Sequence, residues 1–291
     1  MNPIASSTLP GSAGCSIRGH AVVASRLSSL AALRDAAAPP GCPALPPRLL
    51  RHSDEHTVVA VRAVLAAIAG LPKPVTFDRC GVVAAPCQAS RIAATWSHTH
   101  LQAGSGAGAS PPIVPQGSLH SLGDAVSVAL GLHGPHIGVG GGPDALAEGL
   151  FAAVSLFQGG TASGCNLAWL VITDWDAEPL LDAAGIPTND PSCRALAMLL
   201  APADPADDDR LRLSLHGPSA AVVAALPADP PAGGLAAFCR AVEMCATGSV
   251  LTSWAVSCPW GAEIRLVVRE QVERSMPHRI PAAVSRRREA A

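Results

Sequence analysis

The sequence contains no tyrosine, a single lysine (Lys73) and only 3% aromatic residues. Charged residues make up 14% of its 291 positions, against about 25% in an ordinary soluble domain. With 49% hydrophobic residues there is enough apolar surface to close a core, which excludes disorder of the whole chain. Basic and acidic side chains nearly balance at a formal charge of -2, so no global field draws the protein to nucleic acid or to an anionic membrane. No window reaches the roughly 18 uninterrupted apolar residues of a membrane span; the best stretch, TVVAVRAVLAAIAGL, contains Arg62. The start MNPIASSTLPGSAG has no basic region followed by an apolar one, so a secretory signal is not expected and the cytoplasm is the expected location. The nine cysteines form no CxxC pair, and an odd, scattered set fits reduced thiols better than a disulfide framework or a zinc site. Scarce lysine and tyrosine beside abundant arginine, alanine, glycine and proline read as a GC-rich coding sequence and carry no function.

What is present alternates between strand and helix signals. Residues 1–17 are rich in Ser, Gly and Pro and are expected to lack structure, and IRGHAVVAS reads as a first strand. In RHSDEHTVVAVRAVLAAIAG, Val58, Val61, Leu65 and Ile68 recur at helical spacing, with Ser53 as the expected N-cap and Gly70 and Pro72 at the end. CGVVAA fits a buried strand. SLHSLGDAVSVAL reads as a helix through Leu119, Leu122, Val126 and Leu130. GPHIGVGGGPDALAEGLFAAVSLF then places a short strand, His136 to Val139, before three glycines and a helix opening at Pro143, where a missing N–H costs nothing. NLAWLVITDW and RALAMLLA read as two neighbouring strands. The order β-α-β-α-β-α-β-β predicts a layered α/β fold with a largely parallel sheet over 18–201. A loop or hairpin over 202–233, an abbreviated α+β C-terminal segment over 234–270 and a disordered tail over 271–291 complete the expected organisation.

These stretches resemble the N-terminal half of a β-ketoacyl synthase, a thiolase-fold family that condenses acyl chains carried on acyl carrier protein. The resemblance runs from Gly19 to Ala201 through DEHTVVAVRAVLAAI, CGVVAAP, SPPIVPQGSLHSLGDAVSVALGLHGPHIGVGGG and WLVITDWDAEP. It is most specific from Ser110 to Phe157, and it points to the shortened synthase-like proteins grouped with chain-length factors. In that family a turn matching LGLHGP (Leu130 to Pro135) leads through a strand to an elbow that carries the catalytic cysteine at the start of a buried helix. Here the elbow is Gly140, Gly141, Gly142, Pro143 and Asp144, and Pro143 stands at the nucleophile position. Proline supplies neither a thiol nor a backbone N–H to polarise a thioester oxygen. The family's two histidines belong to its second half; His216, in LHGPS, is a poor match and His278 lies in the tail, so no catalytic residue carries over.

The resemblance therefore implies a non-catalytic partner subunit, paired with a catalytic ketosynthase or with itself, with acyl carrier protein as a further partner and no cofactor, metal, nucleic acid or membrane. The chain is too long for one such half and too short for two. An enzyme that uses Cys87 or Cys165 as substitute nucleophile is the alternative. A nucleotide-binding oxidoreductase built on GVGGGPDALAEG is a weaker one, because its GxGxxG spacing ends on Pro143 and Asp174 and Asp176 lie too far along to hold a ribose. His98 and His100 in WSHTH read as two positions on one side of a strand, and His133 and His136 bracket a turn, but neither pair has a third ligand at metal spacing. His120 and Asp124 stand one helical turn apart and read as a pair at a subunit interface. Ser118 and Ser121 lack the serine elbow of a hydrolase. The tryptophans 169, 175, 254 and 260 are assigned to the core or an interface.

Overall fold

The computed structural model describes residues 14–51, 53–72, 74–88, 90–102, 118–158, 164–204, 211–217, 234–247 and 253–268. His278 and the segments 271–291 and 1–13 lie outside the described residues. The chain begins with a long strand β1 (Gly14–Arg26), a short helix α1 (Leu30–Asp35) and helix α2 (Glu55–Ala69). Strand β2 (Cys80–Pro86), helix α3 (Arg91–Gln102), helix α4 (Ser121–Leu130), strand β3 (His136–Gly138) and helix α5 (Ala145–Leu156) follow. Strands β4 (Leu167–Trp175) and β5 (Ser192–Pro202) come next, then β6 (Leu211–His216), helix α6 (Leu235–Thr247), β7 (Ser253–Ser257) and β8 (Glu263–Val268).

All eight strands join one sheet in the order β3-β2-β4-β5-β1-β6-β8-β7. The expected largely parallel sheet is not what forms. Only β2 with β3 and β2 with β4 pair in parallel, and the other five pairings are antiparallel. The reason lies in the connections. Parallel neighbours need a crossover of a dozen or more residues, normally a helix, whereas β4 returns to β5 through residues 176–191 with no helix between them. That excursion is held by Asp176, which accepts from Ser192 N at 2.7 Å, and by Asn189, which accepts from Leu180 N at 2.7 Å.

Helices α2 and α4 cover one face of the sheet, and α5 and α6 the other. Strand β5 shows the consequence: Leu196, Met198 and Leu200 point into one core while Ala195, Ala197 and Leu199 point into the other. A strand covered on both faces reads as an unbroken apolar run, as RALAMLLA does. Helix α2 is buried nearly all round, from His56 to Leu65. Its N-cap is Asp54, not the expected Ser53: Asp54 Oδ1 accepts from Thr57 N at 2.9 Å, while the Ser53 hydroxyl donates to Leu49 O. The other Asp54 oxygen accepts from Ser90 N at 3.0 Å and Ser90 Oγ at 2.9 Å, tying the cap to the loop after β2. Gln88 and Ser90 in that loop both hold left-handed backbone angles, at φ 56° and 55°.

Helix α5 touches β2 and β4 on one side and β6 and β8 on the other, so the sheet curls around it. Strand β1 makes the bend. Its residues from Cys15 to Arg26 pair with β5, its first residues Gly14 to Ser16 also pair with β6, and the register slips between Ile17 and Gly19. Such a bulge bends a strand and increases its twist. The segment after residue 202 thus continues the same sheet and seals α5 from the far side.

Candidate functional elbow

The site is set by how β3 passes into α5. Val139 N donates to Ala84 O at 2.9 Å and Gly141 N to Pro86 O at 2.8 Å, which holds the chain against β2 as it turns. Gly140 and Gly141 take φ of +89° and +93°, angles that cost little only to glycine. A Cβ on Gly140 would also meet Ala145 Cβ at 2.9 Å. Asp144 occupies the N-cap position without a side-chain cap bond, and α5 begins at Ala145 and not at Pro143 as expected. The helix lies unusually close to the sheet at Gly149, where a Cβ would stand 2.6 Å from Ala85 Cβ.

Pro143 is exposed at the elbow and offers no donor. The turned amide at Gly140 is already taken: its N–H donates to Glu148 Oε2 at 2.8 Å, one turn into α5. A carboxylate therefore occupies the place where a pyrophosphate would meet the glycine-rich turn, and it repels an anion there. Asp174 accepts from Trp175 N at 2.8 Å within β4, and Asp176, bound to Ser192 N, ties the two ends of the β4–β5 excursion together. The cavity at the elbow, lined by Pro143, Cys87, Leu146, Thr173 and Asp174 among others, is about 20 Å³. That is room for about one water molecule and not for an acyl chain.

Neither substitute thiol is activated. Cys87 is half-buried beside Asp174, and burial first, then the carboxylate's charge and hydrogen bond, push its thiol up to about 12. Helix α3, which the sequence reading missed, opens four residues further on at Arg91. Cys165 donates its S–H to Leu167 O at 2.7 Å, and burial raises its pKa as well. The thiolate is the nucleophile, and a shift of this size leaves Cys87 with about a thousandfold less of it than an ordinary cysteine at pH 8. Iodoacetamide at pH 8 is accordingly expected to label Cys87 at least about a hundredfold more slowly than free cysteine, read by peptide mass spectrometry; labelling at the free-thiol rate would contradict the geometry.

The remaining candidates are dispersed. His98 and His100 lie on helix α3 and not on a strand; two residues apart on a helix they are about 200° apart around its axis, so they cannot share a side. No cluster of three or more metal-binding side chains occurs among the described residues. Asp124 faces His136, Oδ1 to Nδ1 at 3.7 Å, instead of pairing with His120. The Ser121 hydroxyl donates to Ser118 O at 2.9 Å and serves the turn before α4. His216 contacts Ser214 Oγ at 2.8 Å near the end of β6. Trp169 and Trp175 are buried, while Trp260 is 49% exposed and meets Phe151 edge-on.

One polar group absent from the sequence reading is His56. It is 1% exposed, hydrogen-bonded through Nδ1 to Thr173 Oγ1 at 2.7 Å, and edge-on to Trp175 at 5.5 Å. Burial lowers its pKa, with Asp54 and Asp174 opposing. The ring sits on the α2 side of β4, with Val171 and Trp175, whereas Leu170 and Ile172 face α5. The sheet separates it from the elbow, so it cannot serve there as a base. Its signal was the helical spacing His56, Ala60, Ala63, Ala67, all buried.

Strand order, the reversed β5 and the glycine elbow leading into an enclosed helix define a thiolase-like α/β fold. Two solved structures share it over nearly their whole length. A chain of the ishigamide ketosynthase/chain length factor superposes with a TM-score of 0.57 at 17% identity, covering 89% of this chain and 99% of that one. A chain of a ketosynthase in complex with its chain length factor from Xenorhabdus doucetiae gives 0.51 at 16% identity, covering 87% and 98%. At these identities the likeness is one of fold. No protein-family model and no curated protein matches the sequence. No helix among the described residues is long and apolar enough to cross a membrane.

Proposed function

We propose that this chain is a non-catalytic, chain-length-factor-like subunit that pairs with a catalytic ketosynthase in cytoplasmic polyketide or fatty-acid-type biosynthesis. The observation that carries this reading is the elbow. By the resemblance of the sequence Pro143 stands at the position of the nucleophile, the Gly140 amide in the same turn is closed by Glu148, and the cavity beside them admits about one water. An edge supports the pairing. Among the described residues strand β3 ends the sheet, and α4 packed beside it carries Val128, 59% exposed. An edge strand beside an exposed apolar side chain is a surface suited to another chain.

The test is co-expression with a candidate ketosynthase from the same genome. A stable complex is expected, together with a change in product chain length and no covalent acyl adduct on this chain by intact-mass analysis after incubation with acyl thioesters. No complex and no effect on products would refute the subunit reading. An adduct lost on Cys87→Ala or Cys165→Ala would establish the enzyme instead.

A further inference from the structure

Away from the elbow, helix α1, the loop that follows it and helix α2 border an open-mouthed cavity of about 370 Å³ lined by Arg34, Arg48, Arg51 and Arg62, with Asp35 and Leu49. Four arginines and a single acidic residue line it, in a chain whose net charge is -2. Glu55 is half-buried nearby; burial raises its carboxyl pKa and the charge of Arg34 opposes that.

The four arginines play two roles. Arg62 is only 7% exposed and is fixed: its Nη2 donates to Arg34 O at 2.8 Å and to Ala36 O, closing the C-terminal end of α1. Arg34 donates through Nη2 to Ser53 O at 3.3 Å. Among the described residues the Nε–H groups of both have no partner, so not all of their donors are used. Arg48 and Arg51 are exposed at the rim, and neither side chain has a hydrogen bond or ion pair among the described residues. They are nevertheless placed. Successive turns, Leu49 N to Pro46 O, Arg51 N to Arg48 O and Ser53 N to Leu50 O, hold the loop, and Arg48 sits at φ +71°, a left-handed angle that a bulky residue seldom takes.

We propose that this cavity binds a phosphate group, as a phosphomonoester or diphosphate of a small ligand. Like charges crowded into one cavity repel, and an oxyanion of charge about -2 removes that repulsion while offering several acceptors to guanidinium forks. A carboxylate satisfies one fork; a phosphate or diphosphate engages two or three. The volume exceeds that of a bare phosphate and leaves room for an organic portion against Leu49. This site is independent of the pairing proposed above and stands or falls separately from it.

The test is calorimetric titration of the full chain with inorganic phosphate, pyrophosphate and phenyl phosphate at about 50 mM salt, where screening is weak. Saturable pyrophosphate binding with a Kd of about 1 mM or tighter is expected, weakened at least about tenfold in the Arg48→Asn, Arg51→Gln double variant. Both positions are exposed, so folding is retained and is checked by circular dichroism; Arg51→Gln alone serves if the double variant is impaired. Phenyl phosphate binding more tightly than inorganic phosphate identifies an ester as the ligand class, and the reverse order identifies the free ion. Absence of saturable binding by all three probes up to about 10 mM, or unchanged binding by the variants, overturns the proposal.

Discussion

Replacing Trp169 by alanine is expected to cost about 3–5 kcal/mol, the range for removing a large buried aromatic side chain. Trp169 is 0% exposed on β4, beneath α2, with its ring 5.9 Å from that of Phe77. Its neighbours in the same core, among them Val59, Ala63, Val82 and Leu199, come from α2, β2 and β5. These belong to three elements locked into one layer, so the structure has little freedom to collapse into the space left behind. Total stability is on the order of 5–15 kcal/mol, so the variant loses a large part of it, seen as a drop in Tm of about 6–20 °C. Trp169→Phe should cost much less, because it keeps an aromatic ring and removes a buried indole N–H that has no partner among the described residues. A urea midpoint for Trp169→Ala within error of the parent would show that this layer is not packed as described.

The second large effect concerns assembly. Replacing His136 by proline is expected to abolish the proposed complex with a ketosynthase while leaving the fold intact. Pro135 O and Val139 N both bond to β2. Because successive residues of a strand point their amides to opposite sides, Ile137 shares that direction, and the N–H of His136 faces away from β2, where no strand pairs among the described residues. Proline there removes a donor from the free side of β3 without touching the ladder to β2, a placement that edge strands tolerate. His136→Ala is the control: it loses the contact with Asp124 but keeps the N–H, and should still form the complex. Size-exclusion chromatography of co-expressed pairs separates the cases, and a complex that survives His136→Pro would rule out pairing through this edge.

How much could be read beforehand depended on whether the cause was local. Helix α2 was legible because Val58, Val61, Leu65 and Ile68 repeat on its surface, and the elbow because three glycines follow a short apolar strand. Helix α3 was not, because RIAATWSHTHLQ carries few apolar residues and β-branched threonines that also suit a strand. The direction of β5 was lost for a different reason: it follows from a missing crossover, and length alone does not show whether residues 176–191 fold into a helix. The choice of Asp54 over Ser53 as cap rests on Ser90, 36 residues away. The closure of Gly140 depends on the rotamer of Glu148, and the arginine cavity on α1 and α2 lying side by side. Nothing in residue spacing announces either.

The curl of the sheet around α5 also orders events in time. The apolar face of α5, with Leu146, Leu150 and Val154, is formed from the middle of the chain, but two of the strands that close over it, β6 and β8, begin at Leu211 and Glu263. During synthesis, which runs from the N-terminus, the side of α5 that meets β6 and β8 stays open until those two strands have left the ribosome. Transiently exposed apolar surface of this kind is what aggregates or recruits chaperones. The chain therefore matures as a late-closing clasp, with its most sequence-distant strands completing its innermost layer.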